Sequence, residues 1–488
     1  MKRTIFKVLL GCIFGFLMVA MLTFAGLHWW GARSWQKMQA RLHAVGEPTR
    51  LADMVPPPLP DRENFAKSDF LEGFFEMENR VVGGRRQFTH KRPEAKESLD
   101  SYALPKEGAR PSFPTFKNDK RTDLVAWQKF FHRHSIYRLP SQSGEPAHDI
   151  LLALSNGPAP LEEIARDLRQ RPFMRAPLYY ERRYAMSLPH LVVFQNLARL
   201  YQLHALASLA TGDGAAAFED IRTMRRLRNV TEPGQTIMGN LVAVTIDHIT
   251  RATLREGFAT RVWTEAQLRE IASIMGSDDS LTDYAKNLRH ERITFLLTAE
   301  DTRSVQTLPG NLIGSYFPKA TRDFDRVFYC DFTQQQLDNV LRSSPTSSRV
   351  ARAKERERHL DEESRKIPSR FLRPLSFLAL PTLTSVIPTV LQDNASSAMT
   401  QVALAIERYR ILRGVVPDHL PQLVPDFLPA VPLDPIDGQP LRYQKTDSAS
   451  YKIWSIGWNE KDESGTIHSD RKQGDWVWSG LPPNPRSN

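Results

Sequence analysis

Cysteine is almost absent from this sequence. The 488 residues include two, Cys12 and Cys330, one inside an apolar N-terminal run and the other far downstream. No disulfide framework can be built from them, and without a CxxC pair a structural zinc site of the thiolate type is excluded. Long apolar runs are scarce as well. Mean hydropathy is -0.40, and Val8–Leu27 alone is uncharged over a length that spans a bilayer. The next best run, Phe371–Leu391, is interrupted by Arg373, Pro374, Pro381 and Pro388. Also missing are GxSxG, HExxH, Walker and GxGxxG motifs, which removes the usual hydrolase, metalloprotease and nucleotide signatures. General acid–base pairs need no local motif and are not addressed by that absence. A net charge of +10 suits an anionic surface. The positive residues are spread among acids, however, with no dense stripe interleaved with aromatics, so nucleic acid is not an expected partner.

What is present begins with a membrane segment. Twenty residues, Val8–Leu27, make about 30 Å of helix. Lys2, Arg3 and Lys7 precede it, and His28, Trp29 and Trp30 follow, with the paired tryptophans suited to the headgroup zone. The two readings are an uncleaved anchor and a signal peptide cut near Thr23-Phe24-Ala25. The apolar run continues past that site, which favours the anchor. Arg33, Lys37 and Arg41 nearly balance the charge count, but a very short basic tail stays in the cytoplasm. The expectation is therefore a single-pass protein of the cytoplasmic membrane, in contact with the lipid bilayer through residues 8–27, with its soluble part outside the cytoplasm.

The length implies more than one folded unit, at about 100–200 residues each. After the tail and anchor, 1–30, the expected parts are a juxtamembrane helix and proline-rich linker at 31–60, a large helical domain at 61–380, and a separate domain at 385–488. Val55-Pro56-Pro57-Pro58-Leu59-Pro60 reads as a semi-rigid spacer. Residues 61–186 give little pattern beyond a short helical patch at Asp123–His132. From Leu188 the helix period is clear, with Leu191, Phe194, Leu197, Tyr201, Ala205 and Leu209 on three-and-four spacing up to the turn Thr211-Gly212-Asp213-Gly214. A second helix follows with Ala217, Ile221 and Met224 on one face. Through Tyr201, Ala205, Gly212, Ala217 and Ile221 the pair resembles a single tetratricopeptide repeat. His204 departs from that pattern, and no second copy follows. Further helices are expected at 235–257, at 265–275 with a Thr264/Gln267 capping box, at 281–301, at 333–343, and at 349–366. The last is a solvated charged helix with pairs such as Glu362–Lys366.

From Ser385 the pattern changes. Ala395, Met399, Val402, Ile406, Tyr409 and Leu412 form one helical stripe that ends at Gly414, and short strands fit 440–445, 450–456 and 474–478. Between helix and strands stand Pro432, Asp434-Pro435, Gly438 and Tyr443, followed by Tyr451-Lys452-Ile453-Trp454-Ser455-Ile456-Gly457. In joint spacing these residues resemble the C-terminal half of the major pseudopilin of type II secretion systems. The resemblance covers 385–488 and implies a long helix packed on a small antiparallel sheet. Two departures argue against a polymerising subunit. The membrane segment lacks the family's acidic residue, and here all of 31–380 separates it from the head helix. The fold class expected is thus mostly α: a transmembrane helix, a large helical domain, and an α+β pseudopilin-like head. In that family the loop after the second strand binds calcium. Carried over to this chain, the candidate ligands are Asn459, Asp462, Glu463 and Asp475, with Asn459 in place of the usual aspartate and Lys461 adding an adverse charge.

Other polar clusters read as structure. His132 and His134 have ligand spacing only on a strand, Gly83-Gly84-Arg85-Arg86 is a charged turn, and Asp278-Asp279 and Glu362-Glu363 suit helix ends or surfaces. Two functions remain: a membrane-tethered interaction or scaffold protein of a bacterial envelope, with envelope proteins as partners and a link to type II secretion or pilus-like machinery, and an extracytoplasmic enzyme with its site in the helical domain.

Overall fold

The uncharged N-terminal run forms the first part of helix α1, Lys2–Ala44, which continues without a break through Trp29 and Trp30. The computed structural model describes residues 2–82, 85–105, 110–114, 120–231, 235–276, 279–300, 319–341, 348–447 and 450–482. The turn glycines Gly83 and Gly84, and Asp278, lie outside them. The chain is mostly helical. After α1 come a hairpin, β1 Met77–Val82 and β2 Arg85–His90, then α2 Pro93–Asp100, α3 Leu124–His132, α4 Pro146–Asn156 and α5 Leu161–Gln170. Next are α6 Pro189–Ala210, α7 Gly214–Val230, α8 Ile237–Thr260, α9 Glu265–Met275 and α10 Ser280–Glu300. Then follow α11 Lys319–Leu341, α12 Arg349–Arg365, α13 Ile367–Leu372 and α14 Pro374–Arg413. Strands β3 Arg442–Lys445, β4 Tyr451–Ser455 and β5 Trp476–Ser479 close the described chain.

Two compact units are present. Unit 1 comprises Met1–Pro56, Tyr179–Ser187 and Leu288–Val386, and unit 2 comprises Pro57–Leu178, Leu188–Asn287 and Ile387–Asn488. The expected boundary at 380–385 lies beside the division between Val386 and Ile387. It falls inside α14, which begins eleven residues before Ser385 because Pro374 opens the helix at its first turn. Pro381 and Pro388 are carried within it. By length and composition α14 could cross a membrane, but 56% of its apolar window is buried inside the protein. Over α1 the corresponding window is 0% buried, with Leu9, Phe14, Phe16, Leu17 and Leu22 all exposed.

In unit 1, α1 and α11 pack side by side, with Met38, Leu42, Leu296 and Cys330 as a small core and Trp35 and Val327 against it. The order of contacts gives the direction. Trp30 meets Phe324 edge-on at 5.4 Å, Arg326 lies over Trp35, and Arg41 pairs with Asp331 at 3.0 Å, so the two helices run parallel. Just past α1, Glu47 sits between Arg289 and Arg292. Burial pushes its carboxyl up, and the two guanidinium groups outweigh that and hold it below the usual range. On α12, Lys366 pairs with Glu363 at 2.6 Å instead of Glu362, which is taken by Arg358.

In unit 2, α6, α7 and α8 pack on one another, with α4 against α6 and α9 against α7. The expected helices 188–210 and 214–230 form the α6–α7 hairpin, and Thr264 and Gln267 make the reciprocal cap of α9. His204, the residue that departs from the repeat pattern, donates to or accepts from buried Asp220 at 2.7 Å. Near the C-terminus β3, β4 and β5 form an antiparallel sheet in sequence order, Tyr443 opposite Ile453 and Trp454 opposite Val477. The sheet and α14 are tied by a hydrogen bond from the Tyr451 hydroxyl to Glu407 at 3.1 Å. Along α14 the expected stripe is buried from Ala395 to Ile406, but Leu412 is 60% exposed. Val402 through Ile406 are buried on all sides, since tertiary packing and not one face decides burial here. The hairpin β1–β2 and helices α2, α4 and α5 had no clear sequence pattern.

His190, at the start of α6, tests the packing of unit 2. It is 3% exposed, lies between Phe75 at 5.3 Å and Phe194 at 5.7 Å, and its Nδ1 has no hydrogen-bond partner. Burial pushes its imidazole down to about 3. The folded state therefore refuses a proton that the unfolded chain accepts below about 6.5, so stability is complete above that pH and falls as the pH drops toward 3. Between pH 7 and pH 5 the detergent-solubilised protein should lose roughly 2 kcal/mol more than a His190→Phe variant. Equal losses in urea titrations of the two proteins would mean that the ring is not buried and neutral.

Candidate functional site

Helix α8 carries charged residues where an apolar helix should have none. Asp247, Arg251 and Arg255 are all buried. Ionised groups survive in such a place only if paired. Asp247 accepts from Arg225 and, at 3.2 Å, from Arg228 Nε of α7. Arg228 reaches on to Asp283 of α10 at 2.9 Å. Arg251 pairs with Asp393 of α14, which also accepts from the Ser280 hydroxyl, and Arg255 donates to the Ser479 carbonyl at 2.8 Å. Burial raises the Asp247 carboxyl pKa, but the charges of Arg225, Arg251 and Arg228 outweigh it and the net shift is downward. Every member of this net lies in unit 2.

Beside the net is a hollow of about 330 Å³, within the usual size of a small-molecule site. Helix α8 presents His248 and Arg251 to it, one turn apart, and α14 presents Gln392 and Asp393. The loop between β4 and β5 closes the third side with His468, Arg471 and Asp475, together with Trp476 and Trp478. His248 opens on the hollow; the protein packed around it, with positive charge from Arg251 and Arg199, pushes its imidazole down to about 4. Arg471 donates to the Thr389 hydroxyl, and Trp476 Nε1 donates to the Arg471 carbonyl at 3.1 Å. Chemically the hollow offers aromatic surface, side-chain amides, a neutral imidazole and, besides Asp393 paired with Arg251, one further buried carboxylate.

That carboxylate, Asp475, is one of the four candidate calcium ligands. It is 3% exposed, and its Oδ2 accepts three backbone amides, from Gly465 at 2.8 Å, Glu463 at 3.1 Å and Thr466 at 3.3 Å. Its Oδ1 has no hydrogen-bond partner, and burial raises its pKa against the three amides. Asp462 Oδ1 accepts from Trp454 Nε1 at 2.9 Å and from the Ser464 amide at 3.0 Å, while its other oxygen stands 3.6 Å from Arg442 Nε. Asn459 accepts from the Lys461 amide at 3.2 Å, and the Glu463 side chain is exposed. Asp462 and Asp475 are brought close enough for each other's charge to matter. Among the described residues no three His, Cys, Asp or Glu side chains form a metal-holding group. Through these amides Asp475 gathers the loop between Glu463 and Thr466. At the same end of the sheet Asp434 does likewise, fully buried and accepting from the Ile436 and Ile456 amides, both at 3.0 Å, from the Ser455 hydroxyl at 2.8 Å, and from Arg442.

His132 and His134 are not brought together on a strand. His132 ends α3 and meets Asp149 at 2.9 Å, and His134 Nδ1 meets the Phe130 carbonyl at 2.8 Å. Sequence reasoning overlooked His248, Arg251 and Asp393. The available signal was the set of charges Asp247, Arg251 and Arg255 at four-residue steps inside the apolar pattern of 235–257.

Two measurements check this site. Asp247→Ala leaves Arg225 and Arg228 buried without their carboxylate and should cost about 3–5 kcal/mol, with Asp247→Asn costing less; a loss below about 1 kcal/mol would show that water reaches the net. For the loop, amide closure by Asp475 predicts the same melting midpoint of the full chain in calcium and in chelator. A calcium-dependent rise that Asp475→Ala abolishes would instead make the loop an ion site, worth about 2.7 kcal/mol at a hundredfold excess over Kd.

No family model, no curated protein and no solved structure matches this chain.

Proposed function

We propose that this chain is a single-pass protein of a bacterial envelope that works by binding other envelope proteins, with residues 8–27 in the cytoplasmic membrane and the soluble part on its outer side. One observation supports this most directly. Helix α1 is bare and apolar over its first half, then continues unbroken into packing against α11. Unit 1 is thereby held at a fixed stance on the bilayer, as a scaffold requires and a diffusing enzyme does not. The hollow beside α8 supplies a place for an inserted side chain or chain end. Its strongest charges are already engaged, Arg251 with Asp393 and Arg471 with Thr389, which suits recognition by shape and hydrogen bonds. The likeness of 385–488 to a pseudopilin head points to type II secretion or pilus-like machinery as the partner. In its favour, Asp434, Tyr443 and Ser455 of that pattern all hold the corner of the sheet.

A second reading, an extracytoplasmic enzyme, has one observation of its own. His248, pushed down, and Asp475, pushed up, face one hollow, and displaced pKa values gather at active sites.

External protease added to spheroplasts should digest the soluble part and leave a membrane-held N-terminal fragment; full protection would reverse the orientation. A photo-crosslinking residue at Gln473, on the rim of the hollow, should give discrete adducts with envelope proteins in intact cells. No adducts, together with envelope metabolites consumed by the wild type and spared by His248→Ala, would replace the binding reading with the enzymatic one.

A further inference from the structure

Helix α13 is short, exposed and unusual in composition. From Lys366 to Gln392 the sequence holds no acidic residue. Ile367 is 71% exposed, Phe371 72% and Leu378 51%. Ile367 and Phe371 are four apart and share one face. Arg365, Lys366 and Arg370 are exposed among them. Arg365 and Lys366 touch Asp361 and Glu363. Large apolar side chains left bare beside surface cations are the composition of an interfacial membrane element.

The packing of unit 1 fixes where this element lies. Asp325 of α11 caps the start of α14, accepting from the Ser376 amide at 2.8 Å and the Leu375 amide at 3.2 Å. Phe328 packs on Phe377 at 5.5 Å, and the Arg373 guanidinium lies 4.5 Å over the same Phe328 ring. The joint between α13 and α14 is therefore bound to residues 325–328 of α11. The neighbouring Phe324 rests on Trp30. Trp30 stands three residues beyond Leu27, about 5 Å along a helix from the end of the apolar run. Because α1 and α11 run parallel, this is the end of α11 that faces the bilayer.

We propose that α13, with the residues flanking it at the end of α12 and the start of α14, is a second membrane contact: Ile367, Phe371 and Leu378 enter the interfacial layer at the level of Trp30, and Arg365, Lys366 and Arg370 meet the phosphates of anionic phospholipids. The proposal rests on residues 8–27 being the anchor. A second contact resists tilting and sets which face of the protein lies on the membrane. Near an anionic leaflet each basic residue favours the bound arrangement by about fivefold.

The test uses the full chain in phospholipid vesicles. Cys330 is buried, with its thiol pushed up to about 12, so it stays unlabelled. In a Cys12→Ser background, Phe371→Cys is labelled with an environment-sensitive fluorophore and quenched by lipids carrying a nitroxide near the headgroup. Native Cys12, labelled in the otherwise unchanged chain, reports on the anchor. The expected result is a blue-shifted, quenched label at 371, more strongly quenched in phosphatidylglycerol than in phosphatidylcholine, with the difference lost when Lys366→Glu and Arg370→Glu are added. Lipid quenching at Cys12 but a water-like label at 371 would overturn the second contact and leave the anchor standing. A label at 371 shielded from both water and lipid quencher would assign the face to a protein neighbour and overturn the proposal as well. No quenching at Cys12 would overturn the anchor itself, and the proposal with it.

Discussion

Unit 2 depends on one buried electrostatic constraint, the net that joins Arg225 and Arg228 of α7 to Asp247 of α8, Arg228 to Asp283 of α10, and Arg251 of α8 to Asp393 of α14. Removing ions from water is expensive, and replacing such a net by apolar side chains is often neutral or stabilising. Its contribution is therefore not a large gain in stability. What it does supply is selection among packings. A helix as apolar as α8 could rotate or slide against α7 and α14 at small cost, because hydrophobic contact is not directional. Once Asp247 and Arg251 are in place, any other register strands a charge in the core. The position of α14 follows from that register, the sheet follows through Glu407 and Tyr451, and the hollow is the space left between them.

Unit 1 uses the same device at the end of α1. Glu47 stands where the chain leaves α1, and Arg289 and Arg292 of α10 hold it. Nothing apolar in the sequence around Glu47 would fix the end of a helix that emerges from a membrane. A carboxylate between two guanidinium groups does so, because it has partners in one direction only. Parallel packing of α1 on α11 adds the small core of Met38, Leu42 and Cys330. The candidate membrane span and the packed part of unit 1 thereby share one continuous helix.

Local signals in the sequence were sound where one physical rule acts alone. Period gave α6, α7 and α9, with the Thr264 cap; alternation and turn residues gave the three strands to within two residues or so. The reading failed where tertiary packing overrules local chemistry. Pro374, Pro381 and Pro388 interrupt the apolar run at 371–391 and the head helix is expected only from 385, yet α14 contains all three, because the first sits where no amide is needed and the rest of the helix gains from being buried. Residues 61–186 stayed opaque because helices as short as α4 and α5 span too few turns to show a clear period and are stable only through neighbours distant in sequence. The hollow was illegible for a related reason. Its walls come from 244–251, 389–399 and 467–478, and only the fold brings these together.

At 385–488 the spacing of residues in the sequence leaves the chemistry of its carboxylates open. Asp434 and Asp475 stand out in sequence as carboxylates at fixed places in a loop-and-strand arrangement, which invites a ligand. In the structure each gathers backbone amides that would otherwise be orphaned in the turns around the sheet, and a buried amide without a partner costs as much as a lost hydrogen bond. A carboxylate can satisfy three such amides with one oxygen, as Asp475 does, and do so without an ion. The cost is a buried charge, visible in the raised pKa values of both residues. Where a loop can be closed either by a carboxylate alone or by a carboxylate and a cation, the number of oxygens left over decides. Asp475 keeps a buried Oδ1 with no hydrogen-bond partner and is itself part of the wall of the hollow, so the residue that closes the loop also belongs to the hollow.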